Sequence, residues 1–86
     1  MADEKKFTAK DFVNESNLEF KDLSDEQYRV YVYPDMEVRI DEPLKLNVSA
    51  SGGHRVFDSL GRSNYLPAGW RHLYWVVKDN KSHFAF

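Results

Sequence analysis

The chain has 86 residues, no cysteine and a formal net charge of −2. That length holds one domain, and the missing cysteine excludes a disulfide scaffold, thiolate metal sites and a cysteine nucleophile. Six Phe, five Tyr and two Trp point to an aromatic core, because each such ring takes roughly 150–250 Å² out of water.

The first element in the chain is a short helix. Thr8 stands as its N-cap and Asp11 at the third helical position, an approximate capping box, with Phe7 and Phe12 spaced as a hydrophobic staple. Asn14, Ser16 and Asn17 are poor helix formers and keep it short. Leu18, Phe20 and Leu23 add apolar anchors, and Ser24–Gln27 reads as a turn into a strand over Tyr28–Tyr33, where β-branched and aromatic residues dominate. Pro34-Asp35 turns the chain into Glu37–Asp41. Glu42-Pro43 breaks that strand before Leu44–Ser49. The alternation predicts Val38, Ile40, Leu44, Leu46 and Val48 on one buried face, with Arg39 and Lys45 outside.

Strand-like His54–Asp58 and Arg62–Leu66 flank Ser59-Leu60-Gly61, a hairpin loop in which Gly61 can take a positive φ. Gly52, Gly53 and Gly69 are expected at positive φ as well. Trp70–Lys78 reads as the longest strand, with Trp70, Tyr74 and Val76 on one face and Leu73, Trp75 and Val77 on the other. Asp79–Lys81 then turns the chain into a final strand over Ser82–Phe86.

These elements give a mainly β (α+β) fold: a small antiparallel sheet or barrel of six to seven strands with a short N-terminal helix. Two parts follow, an acidic N-terminal helical segment over 1–27 and a β domain over 28–86. The first has net charge −4 and the second +2. The polar opening has no apolar run behind it, and no stretch nears the ~20 apolar residues of a membrane helix. The expectation is a cytoplasmic protein without a secretory leader, acting away from membranes.

From Gly61 to His72 the spacing G-x5-P-x-G-x2-H, carried by Gly61, Pro67, Gly69 and His72, resembles the second conserved motif of the cupins. The resemblance implies a small barrel with His72 as a metal or ligand contact. The motif's terminal Asn is replaced by Val76, and no upstream His-x-His exists. His54 is the companion in a reduced ligand site. A bound divalent metal takes three or four protein ligands, and nothing in the sequence forces His54, His72 and His83 together, so neither metal nor cofactor is expected. Leu46–Val56, continued by Tyr65-Leu-Pro-Ala-Gly-Trp70, is similar to small uncharacterised proteins of tailed phages. That implies a phage accessory protein working in the host cytoplasm.

Arg55, Trp70, Arg71 and Tyr74 are the residue types that dominate protein interfaces. They are the expected contacts for a host or phage protein, or for self-association. A single-strand nucleic-acid platform would use the arginines with Tyr65 and Trp75, but the overall acidity of the chain opposes phosphate binding. Asp58, His54 and Ser51 or Ser63 can be drawn as a triad, without a nucleophile elbow to support it. The expected function is therefore a non-enzymatic protein-interaction module. Its strand 70–78 is apolar on both faces, and either residues 7–23 cover Trp70 and Tyr74 or a partner does.

Overall fold

A computed structural model describes residues 6–15 and 17–79. Seven strands run through them: β1 Lys21–Asp22, β2 Glu26–Tyr33, β3 Met36–Asp41, β4 Pro43–Val48, β5 His54–Asp58, β6 Ser63–Leu66 and β7 His72–Val77. The expected strand over Ser82–Phe86 and the third histidine, His83, lie outside the described residues. All pairings are antiparallel. The strands form two sheets, ordered β1-β4-β5-β6 and β3-β2-β7, and do not close into a barrel. Among the described residues no helix is long and apolar enough to cross a membrane.

The chain changes sheets between β3 and β4 at one residue. Glu42 takes φ +50 there, the left-handed conformation that reverses direction in the least length. It is held by Gln27, whose carbonyl accepts from the Glu42 N–H at 2.8 Å, and by Ser59, whose hydroxyl donates to Glu42 Oε1 at 2.8 Å. Pro43 follows as the first residue of β4, where a missing N–H costs no ladder bond.

Leu23, Tyr31, Ile40, Leu46, Val56 and Leu66 form the core between the sheets, with Tyr33, Val38, Trp70 and Leu73 packed on it. The register at Val38, Ile40, Leu44 and Leu46 is as the alternation predicts, and Arg39 lies outside; Lys45, expected outside, is half-buried. Val48 is a correction: it is 47% exposed. It ends β4, and β1 pairs only with Leu46 and Lys45, so nothing of the short edge strand reaches it.

The N-terminal helix is also corrected. Among the described residues only a 3₁₀ turn over Ala9–Asp11 forms, although its start is as expected: the Asp11 carboxylate accepts from the Thr8 N–H at 2.9 Å. Phe7 and Phe12 both meet Phe57 on the outer side of the first sheet, at ring distances of 6.3 and 5.0 Å, and Phe12 also meets Phe20 at 4.5 Å. These rings anchor the segment through burial and not through helix formation. The segment does not cover Tyr74 as one alternative had it.

The β5–β6 hairpin has the expected three-residue loop. The Gly61 N–H donates to the Asp58 carbonyl and the Asp58 N–H to the Arg62 carbonyl, both at 3.0 Å. Gly61 takes φ +83, and a methyl added there would lie 2.6 Å from the Phe7 ring. Gly61→Ala is therefore expected to cost about 1–2 kcal/mol from the left-handed backbone, with a further loss from displacing Phe7. Urea denaturation measures this, and an unchanged midpoint would remove the turn argument. Gly52 and Gly69 also have positive φ. Gly53 does not; its requirement is space, described below.

Candidate functional site

The sequence-selected residues separate into three places. Trp70 precedes β7 and does not share a face with Tyr74. Its ring turns between the sheets against His54 at 4.7 Å and Tyr31 at 4.9 Å. His72 and Tyr74 lie together on the outer face of the three-stranded sheet, rings 5.5 Å apart. Arg71, between the two groups, is exposed. Arg55 stands on the outer face of the other sheet. His54 and His72 are thus on different faces, and among the described residues no three potential metal ligands converge.

Beneath Trp70 runs a buried polar chain that sequence reasoning missed. Glu26 and Arg29 are fully buried and doubly bonded, Arg29 Nε to Glu26 Oε1 at 2.8 Å and Nη2 to Oε2 at 2.7 Å. Arg29 Nη1 donates to Tyr31 Oη at 3.0 Å, and Tyr31 Oη lies 2.7 Å from His54 Nδ1. Arg29 can only donate, so Tyr31 Oη accepts from it, and a neutral His54 shares one hydrogen with the same oxygen through Nδ1. Burial, followed by the charge of Arg29, holds the His54 imidazole down at about 4. Burial pulls the Arg29 guanidinium down, but Glu26 and Tyr31 outweigh it and the net direction is up.

The triad drawing fails for the same reason: its members are engaged elsewhere. Asp58 is fully buried. It accepts from the Leu60 and Arg62 N–H groups, from Arg62 Nε at 3.0 Å and from Asn64 Nδ2 at 2.9 Å. Burial would raise its carboxyl, yet Asn64 and Arg62 carry it below the usual range. It closes the hairpin loop.

The open surface lies along β6, an edge strand. The bond between the Asp58 N–H and the Arg62 carbonyl fixes the ladder phase. Val56 with Asn64 and His54 with Leu66 are the next bonding pairs, so the N–H and C=O groups of Ser63 and Tyr65 point away from the sheet. Beside this edge Tyr33, Met36, Val38, Tyr65, Leu66 and Pro67 wall a mainly apolar groove of about 300 Å³. Met36 is 57% and Tyr65 49% exposed on its rims. The Tyr33 hydroxyl donates to the Pro67 carbonyl at 2.7 Å and ties the two sheets together at the groove floor.

Tyr65 lies across Gly53: a methyl at 53 would come within 2.5 Å of its hydroxyl and 2.9 Å of the Leu66 carbonyl. Its hydroxyl is 3.3 Å from Ser51 Oγ. Hydrogen bonds to Ser51 and Ser49 hold the phenol below its ordinary value. Gly53→Ala is expected to push the Tyr65 ring off this position. The check is a change in the Tyr65 ring resonances together with a lower melting temperature; unchanged resonances would refute the close approach.

Neither a protein-family model, nor a curated protein, nor a solved structure matches this chain.

Proposed function

We propose that the protein is a non-enzymatic interaction module that binds an extended segment of a host or phage protein along β6. One observation carries this reading: the outward backbone groups of Ser63 and Tyr65 run beside an apolar groove with exposed Met36 and Tyr65 on its rims. Strand addition uses these two features together, main-chain bonds for affinity and side-chain pockets for selectivity. Two of the other edges differ in charge: on β3, Glu37, Arg39 and Asp41 are exposed, and β1 has two charged residues, a pattern that opposes pairing. β7, the fourth edge, is uncharged like β6, and the apolar groove is what sets β6 apart from it. β6 has no charged residue within Ser63–Leu66.

Tyr65→Ala and Met36→Lys are expected to reduce recovery of the partner from host extract at least about tenfold, as removal of interface anchors does, with melting temperatures close to the parent's. Tyr74→Ala is expected to retain it. Equal recovery by the parent and both groove variants would refute this assignment.

A further inference from the structure

We infer that the segment added to β6 carries an acidic side chain next to an apolar one. This rests on the strand-addition reading. An added strand continues the pleat, so its successive side chains point to opposite faces. On the inner side they meet the groove between Leu66 and Val38. On the outer side they lie beside Tyr65, which with Arg55, Ser63 and Asn64 walls a second depression.

Charge decides what suits the outer row. The Arg55 guanidinium lies 5.7 Å from the Tyr65 ring centroid and donates to Asn47 Oδ1 at 2.7 Å. Asn47 is neutral, and among the described residues no carboxylate pairs with Arg55, so the cation stands one strand in from the edge, in the depression it shares with Ser63, Asn64 and Tyr65. Arg62, by contrast, is paired with Asp58 at 3.0 Å. Among the described residues the one carboxylate lining either depression is Asp35, at the hairpin end of the groove. β6 carries no charged residue, so pairing β6 with β6 of a second copy would offer the Arg55 cation no carboxylate. The cation therefore favours a different protein with an acidic outer row over self-pairing.

The test uses the ¹⁵N-labelled full chain and three synthetic peptides with Val at alternate positions and Glu, Thr or Lys between them. The Thr peptide reports strand addition alone. Shifts confined to the Ser63–Leu66 amides and their neighbours are expected with the Glu and Thr peptides. The Glu peptide is expected to bind about fivefold or more tighter than the Lys peptide at low salt, an advantage lost in Arg55→Gln and in 0.5 M salt. Equal affinities for Glu and Lys peptides, with β6 shifts still present, would overturn the charge inference and leave strand addition standing. Failure of all three peptides to perturb β6 would overturn both.

Discussion

Arg29→Ala is expected to cost about 3–5 kcal/mol, the range for breaking a buried ion pair from one side. Glu26 would keep a buried carboxylate without its two guanidinium bonds, and Tyr31 would lose the donor that orients its hydroxyl. The Trp75 ring would also lose the guanidinium 5.2 Å from its centroid. A domain of this size has little stability to spare, so the variant should be largely unfolded at ordinary temperature. The double variant Arg29→Met with Glu26→Leu should be far milder, because it removes both charges and leaves none unpaired. Urea titration followed by tryptophan fluorescence decides it. A single-variant loss below about 1 kcal/mol, the size of an exposed pair, would mean that the pair is not buried in solution.

The second large effect is acid sensitivity centred on His54. The residue is 6% exposed, and its imidazole is lowered to about 4 in the fold from an ordinary 6.5. Between those values the unfolded chain binds a proton that the folded chain refuses, so folding stability rises with pH. The contribution is complete above pH 6.5 and lost progressively as pH falls to about 4. Its full size is about 3 kcal/mol from the shift. The physical reason is burial of the imidazole first and the charge of Arg29 second. Asp22, Glu42 and Asp58 are lowered instead. Their contributions are present above the ordinary carboxylate values and are lost at more acid pH, from 4.5 for Glu42, at the lower end of the His54 window, and from 3.8 for Asp22 and Asp58. Stability against pH for the parent and His54→Gln should diverge in slope between pH 6.5 and 4, with the variant flatter. Parallel curves across that window would show that His54 is not buried against Tyr31 in solution.

The groove variants Tyr65→Ala and Met36→Lys probe binding without these costs, since both side chains are largely exposed. They separate the interaction surface from the polar chain that supports it.

Much of the fold was legible because strand alternation and turn chemistry are local. Val38, Ile40, Leu44 and Leu46 declared their face by period two, and Ser59-Leu60-Gly61 declared a three-residue loop because Gly61 alone there tolerates φ +83 without a Cβ. The Thr8/Asp11 cap was equally local, but a cap starts a helix without sustaining it, and the aromatic rings on Phe57 set the path of that segment. Arg55 was legible as an interface type. Its setting beside Tyr65 came from the pairing of β5 with β6.

Period two also concealed the polar chain. Glu26 and Arg29 are three apart and by alternation belong to opposite faces. They meet because the β2–β7 register shifts between Glu26 and Tyr28, a bulge that turns both inward. Likewise Trp70 read as part of a strand and as a partner of Tyr74, whereas β7 begins at His72 and Trp70 closes the core over His54. The sequence by itself determined β2 to β7, the hairpin loop and the absence of any thiol chemistry, because each depends on a residue and its immediate neighbours; it missed the two-residue β1. Only the tertiary structure decided which edge stays open, where the charged pair is buried and which rings stay exposed. Those outcomes depend on how two sheets meet at Glu42, and on residues far apart in the chain removing water from one another.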